Sequence, residues 1–235
     1  MSSAGSVEVY IIAEGRSEQT FVRDVLAPQL AYRGIYLNPR LVGKPGHKGG
    51  NIRFDSAGTD IGNFLKQRRD IYISTMFDYF GIDKDWPGKA DVQRELKSGK
   101  MLTASQKAEF LETALLKEII KTFPGCNAES RFIPYIEMHE FEALLFSDPV
   151  LLAEQVKVDA AEIKKILGNY NNNPEEIDED PDRAPSKRLG SLHPDYRKVA
   201  MSKVVSTAIG IQKIRQKCSH FNDWLTRLEN LKSLS

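Results

Sequence analysis

Three short apolar runs that each deliver a carboxylate constrain this chain more than any other feature. Val7 to Ala13 reads VEVYIIA and stops at Glu14-Gly15, and Ile71 to Phe77 reads IYISTMF and stops at Asp78. RFIPYIEM from Arg131 leads into His139-Glu140-Phe141-Glu142 and the apolar Ala143 to Phe146. Runs of this length, rich in β-branched residues and closed by turn or polar residues, are expected to be buried strands. Between them the period changes. From Ser17 the spacing of Phe21, Val22, Val25, Leu26 and Leu30 follows a helical stripe, with Glu18 in a first turn whose dipole favours negative charge. Ile35 to Val42 is a further strand candidate, Ile61 to Arg69 a short helix, and Thr103 with Gln106 a capping box opening a helix through Phe110, Leu111, Leu115 and Ile119.

Strands that alternate with helices pair in parallel, because right-handed crossovers bring each strand back pointing the same way. The pattern therefore predicts an α/β fold, a mainly parallel sheet flanked by helices, over residues 1–149. Beyond Pro149 the periodicity is helical, which predicts a helical extension over 150–235 packed on the first domain. The acidic run EEIDEDPD from Glu175 to Asp182 is expected to be a solvated loop. Arg183 to Lys217 reverses the bias, with nine Lys and Arg against one acid, Asp195, and is the expected polyanion surface.

Overall charge is balanced, 33 Lys+Arg against 32 Asp+Glu, so no global field draws the protein to nucleic acid or membrane and any polyanion site must be local. No stretch approaches the roughly 20 apolar residues that span a bilayer, and the start, MSSAGSVEVY, has no basic segment leading into an apolar run. A soluble, cytoplasmic protein is expected. Cys126 and Cys218 lie too far apart in sequence for a zinc pattern or a disulfide framework and are expected to be apolar fillers. Trp86 and Trp224 are expected to anchor core or interface.

In a parallel sheet, ligands gather at the carboxyl ends of the strands. Glu14, Asp78 and Glu140 would then share one edge, and a set of carboxylates whose repulsion is offset by an ion suits Mg2+, a hard cation that prefers oxygen donors. Glu18, four residues after Glu14, would add a ligand or orient a water, while Glu137 and Glu142 are weaker candidates. The competing reading is that such acids are helix caps and dipole partners, contributing about 0.3 to 1 kcal/mol each. Gly43 to Gly50 is a Gly-rich loop whose Lys44, His47 and Lys48 would meet phosphates through backbone N–H groups and side-chain charge. It lacks the order of a nucleotide P-loop, which argues against ATP binding there. His139 is expected to be a packed or hydrogen-bonded neighbour of a carboxylate.

Taken together, AEGRSEQTF from Ala13, FDYFG from Phe77 and HEFEALLF from His139 resemble a bacterial family of Toprim-like proteins, similar to the nuclease domains of overcoming-lysogenization-defect (OLD) proteins. The resemblance covers about the first 150 residues. It implies a Toprim-like sheet in which Glu14 takes the role of the glutamate after the first strand and Asp78 that of the first aspartate of Asp-x-Asp. Phe80 stands where the second aspartate belongs, so Asp83, Asp85 or Glu140 must compensate, or metal binding is weakened. By the same resemblance Lys187 and Lys203 would place positive charge on the reacting phosphate, with Arg188 adding to substrate contact. The implied activity is a magnesium-dependent nuclease (Mn2+ serving as well) acting on DNA or RNA, the effector of an anti-phage defence system with an ABC-type or SMC-like ATPase. Two alternatives stand beside it. One is a noncatalytic module that binds nucleic acid or an ATPase through a degraded metal site. The other is a small-molecule phosphotransferase or phosphatase, although haloacid-dehalogenase enzymes need an aspartate where Glu14 stands.

Overall fold

The first apolar run forms β1 (Val7–Ala13), and the helical stripe after it runs through α1 (Arg16–Phe21), a π-helical turn (Val22–Leu26) and α2 (Ala27–Ala31). The wide turn falls just before Pro28, which has no N–H to give to the carbonyl four residues back. β2 (Ile35–Leu41) follows, then α3 (Phe54–Gln67), which starts seven residues before the predicted helix, and β3 (Ile71–Asp78). The computed structural model describes residues 6–43, 51–177 and 180–234. Lys44, His47 and Lys48 of the Gly-rich loop lie outside the described residues.

β1 pairs in parallel with β2 on one side and with β3 on the other, giving the order β2-β1-β3. Pro39 is tolerated in β2 because the flanking bonds, Val7 N to Gly34 O and Val42 N to Ala13 O, set the register so that even-numbered residues face β1. The missing N–H of Pro39 therefore falls on the open edge.

The third apolar run is not one strand. It splits into β4 (Phe132–Ile133) and β5 (Ile136–Glu137), both parallel to β3, with Pro134 and Tyr135 between them. Side chains of β3 bridge the gap: Thr75 Oγ1 accepts from Tyr135 N and donates to Tyr135 O, both at 2.9 Å, and Ser74 Oγ donates to Ile133 O at 2.5 Å. At the start of the run, α6 (Ala128–Arg131) ends in the buried Arg131, whose guanidinium donates to the carbonyls of Leu65, Arg68, Ile71 and Cys126 and so ties three segments together.

Alternation along the strands divides the core into two layers. Ile12, Ile71, Ile73 and Phe77 face α3, α4 (Lys89–Lys97) and α5 (Ala104–Thr122). The predicted capping box is present on α5, with Gln106 N donating to Thr103 Oγ1 and Thr103 N to Gln106 Oε1. Val7, Val9, Ile11, Tyr72 and Met76 face the other way, onto α1 and a 3-10 segment (Phe141–Ser147). The same layer takes in α7 (Pro149–Val156), α8 (Ala160–Gly168), α9 (Pro185–Leu192), α10 (Lys198–Ile209), α11 (Ile211–Lys217) and α12 (Ser219–Glu229). Trp224 is an anchor as expected: its ring stacks on Tyr135 with centroids 4.4 Å apart, and its Nε1 donates to Ser74 Oγ at 2.9 Å.

The acidic run departs at its first residue from the solvated loop expected of it, while Asp182 is exposed and Asp178 and Glu179 lie outside the described residues. Glu175 is fully buried and its carboxylate accepts from His220 N, Phe221 N and Ser219 Oγ. The reason is local. α12 has no capping side chain at its own start, and Glu175 supplies the acceptor for its first N–H groups. No helix among the described residues is long and apolar enough to cross a membrane.

Candidate metal site at the carboxyl edge of the sheet

Because β1, β3 and β5 run in parallel, the residues that follow them meet at one edge. Glu14 leaves β1 with its backbone N bonded to Met76 O, and its side chain turns across to β3, where Oε2 accepts from Asp78 N at 2.9 Å. The carboxylate of Glu14 lies on Gly81: a Cβ at that position would sit 2.0 Å from Oε2. The glycine in FDYFG is therefore set by contact with the glutamate in AEGRSE. Asp78 in turn accepts from Phe141 N at 2.9 Å, which fixes the HEFEALLF segment to the end of β3. Glu140, half-buried, accepts from Ser186 N at the start of α9 at 3.0 Å.

Two more carboxylates lie within electrostatic reach. Glu18 and Glu142 are both buried, and Glu142 reaches Lys198 Nζ at 2.9 Å and accepts from Ser202 Oγ at 3.4 Å. Burial, and then repulsion from Glu14 and Glu18, pushes the Asp78 carboxyl well above the usual carboxylate range. Burial also raises Glu18, against the opposing pull of Lys198. Glu142 is pushed up to about 7 by burial, with Lys198 holding it down and Glu18 and Glu140 raising it. Burial alone would lower Lys198, but Glu142, Asp78, Glu140 and Glu18 outweigh it and hold the ammonium charged above its ordinary value.

Four of these carboxylates, Glu18, Asp78, Glu140 and Glu142, thus face the Lys198 ammonium, and the crowding and burial of like charges favour their protonated forms. Such a set of hard oxygen donors fits Mg2+ in its chemistry. Among the described residues, no three acid, His or Cys side chains are gathered as a metal-holding group.

The family whose sequence model matches residues 13–229 is described as a domain of unknown function, DUF4276. The chain belongs to the DUF4276 family. No curated protein and no solved structure matches the chain. The matched span runs from the last residue of β1 to the last of α12, so the DUF4276 unit takes in the acid edge and the helices that bring Ser186 and Lys198 to it.

Other candidates in this DUF4276 chain fall elsewhere. Glu137 belongs to a buried network, accepting from Tyr135 Oη at 2.6 Å and Met138 N at 3.1 Å. Phe80 stacks on His139 with centroids 5.4 Å apart, and Tyr79 meets the same imidazole edge-on. Asp83 and Asp85 line a different depression, shared with Asn51 and Phe54. Lys187 is exposed and adjoins Ser186, which places its backbone beside Glu140.

Several cations of the basic segment are engaged within the chain. Lys198 pairs with Glu142, Lys203 with Asp24 at 2.7 Å and Arg215 with Glu229 at 2.8 Å, while Arg188 donates to Arg183 O and Tyr170 Oη. Sequence reasoning ranked Glu142 low and did not single out Lys198. The only sequence signal for Lys198 is its membership of that basic segment, which does not distinguish it from its neighbours.

Proposed function

We propose that this DUF4276 chain is a magnesium-dependent, Toprim-like nuclease that hydrolyses phosphodiester bonds in DNA or RNA. We extend the reading to an effector of anti-phage defence in the cytoplasm, working with an ABC-type or SMC-like ATPase, a part that rests on the sequence resemblance alone. What supports the catalytic part is the bond from Asp78 N to Glu14 Oε2 at the carboxyl edge of a parallel sheet, with Phe141 N, next to Glu140, bonded to the Asp78 carboxylate.

Glu14, Asp78 and Glu140 would hold Mg2+, or Mn2+ in its place. Bound there, such an ion would supply Lewis-acid polarisation of the phosphate and activation of water. The chain's residues do the rest. Glu18, buried beside them, orients water at the edge. Glu142, with a pKa of about 7, accepts or returns a proton near neutrality. Lys198 holds Glu142 in place and balances charge before loading. Lys187, next to the Glu140 contact, offers a cation to substrate phosphate.

Glu14→Gln and Asp78→Asn keep side-chain size and remove charge. Each should abolish cleavage and calorimetric magnesium binding while the far-UV spectrum is unchanged, and the pair should be nonadditive because the ligand is shared. Cleavage that survives both substitutions or chelation would overturn the mechanism. The stacking of Phe80 on His139 favours the second reading, a noncatalytic nucleic-acid or ATPase-binding module, if no protein cleaves but all bind.

A further inference from the structure

The turn that follows β3 closes on itself. Asp78 O accepts from Gly81 N at 2.9 Å and from Ile82 N at 3.2 Å. Its flanks are held by neighbours: Tyr79 N donates to Glu137 O of β5 at 2.9 Å, and Ile52 N, just before α3, donates to Gly81 O at 2.6 Å. The carbonyls of Tyr79 and Ile82 turn instead to a side chain. Lys89 Nζ donates to both, at 3.1 and 2.9 Å, and stands 4.7 Å from the centre of the Tyr79 ring.

An ammonium suits that position, because it offers three donors from one point and meets two carbonyls and a ring face together. Placing it there is costly. Lys89 is half-buried, and burial pulls it down to about 8 against the opposing influence of Asp83, which leaves it charged at neutral pH. The base of the side chain is fixed as well. Lys89 opens α4, with its N bonded to Trp86 O at 3.0 Å, directly after Gly88 at φ +87°. A Cβ on Gly88 would come within 2.7 Å of Phe110 O and 2.9 Å of Leu111 Cα, so glycine lets the start of α4 seat on the backbone of α5.

On its other side the same turn carries the acid edge. Glu14 Oε2 lies between Gly81, where a Cβ would be 2.0 Å away, and Asp78 N, from which it accepts at 2.9 Å. A shift of the turn therefore moves the carboxylate. We infer that Lys89 is a positioning residue of the acid edge: anchored on α5 through α4, it braces the Tyr79–Ile82 turn and so seats the Glu14 carboxylate at the end of β3. It acts through the turn and not on the carboxylates themselves. Its value to a metal site rests on the magnesium reading above.

The N–H of Asp78 reports the seating directly, because its acceptor is the Glu14 side chain. Lys89→Met keeps the length and apolar stem and removes the donors. By amide hydrogen exchange near neutral pH, it should lower the protection of Asp78 N–H about tenfold more than that of the β1–β3 ladder amides, the loss of one hydrogen bond, whereas a merely structural role would lower all of them by one factor. In a Glu14→Ala background the same substitution should have no added effect on Asp78. Lys89→Gln, which still reaches one carbonyl, should give an intermediate loss and serves as the readable variant if the apolar one does not fold. Equal loss at Asp78 and in the ladder, or an undiminished effect without Glu14, would overturn the brace. Calorimetry with Mg2+, well below Tm, then separates the brace from the metal reading. Lys89→Met should weaken Mg2+ binding about tenfold, and unchanged affinity would overturn a role for Lys89 in the metal site while leaving that site standing. Absence of Mg2+ binding by the native protein would overturn the metal reading, with the exchange result still deciding the brace.

Discussion

Replacing Gly81 with alanine places a methyl group 2.0 Å from Oε2 and 2.2 Å from Oε1 of Glu14. Cβ atoms do not approach within 3.0 Å of other heavy atoms, so the carboxylate must withdraw by about 1 Å. Gly81 has no positive φ, so this clash is the whole effect, and because the clashing atoms end a flexible side chain the backbone need not move. What is lost is the bond from Asp78 N to Glu14 Oε2. A hydrogen bond to a charged acceptor contributes about 1.5 to 3 kcal/mol, and each kcal/mol shifts the melting temperature of a chain this size by about 2 to 4 °C. Gly81→Ala should therefore lower Tm by roughly 3 to 12 °C. Glu14→Ala removes the same bond and also clears the space, so the double variant should be no less stable than Glu14→Ala alone. Urea unfolding of all four proteins, followed by tryptophan fluorescence, gives the coupling energy, expected to equal nearly the entire cost of Gly81→Ala. Strictly additive costs would refute the contact between the two motifs.

His220 is pushed up to about 9: burial lowers it, but the hydrogen bond to Glu112 at 3.0 Å and the charges of Glu112, Glu175 and Glu137 outweigh that. Its folded pKa lies above its unfolded one, so its contribution, of order 3 kcal/mol, is complete below pH 6.5 and lost as pH rises through 9. Urea unfolding of His220→Gln should show a flatter profile across that window, and an unchanged slope would dissociate His220 from it. Glu142 titrates in the opposite sense to an ordinary carboxylate, since its raised pKa makes the folded state hold the proton more tightly. Stability should fall as pH rises from about 4.5 to about 7, and Glu142→Gln should remove that fall. Magnesium should raise Tm more above pH 7 than below it, because there no proton competes; an equal rise at pH 5 would count against the carboxylates as ligands. Lys187→Gln should reduce the dependence of log affinity for nucleic acid on log salt by about 1 if α9 meets a phosphate, and an unaltered slope in an anisotropy titration would remove Lys187 from the contact.

The parallel sheet was legible because β1 and β3 are runs whose neighbours on both faces are apolar, so Val9, Ile11, Ile71 and Ile73 leave no other place for themselves than a covered sheet. β4 and β5 read as one strand because Thr75 and Ser74, which replace the backbone rungs around Pro134, are distant in sequence and give no sign of that duty. Glu175 was misread for a related reason. A Glu in an acidic run signals solvent, and only the uncapped start of α12, 44 residues later at Ser219, gives it a buried partner. In the site, Glu14 and Asp78 were legible because each ends a strand, whereas Glu142 and Lys198 become partners only when α10 packs against the 3-10 segment.

That packing decides what the acid edge is. Glu18, Asp78, Glu140 and Glu142 come from the strand-helix half of the chain, while the ammonium that faces them comes from Lys198 and the N–H that binds Glu140 from Ser186, both beyond Pro149. The same late helices cover Val7, Val9, Ile11 and Tyr72. Taking them away would leave a face of β1 and β3 exposed and four carboxylates without the Lys198 ammonium, a state relieved by taking up protons or a cation. The helical extension therefore helps build the acid edge itself. Loosening α10 from α1 would change the protonation of these acids before it disturbed the sheet, because Lys198 acts through charge at the edge and β1 is held by its ladders to β2 and β3.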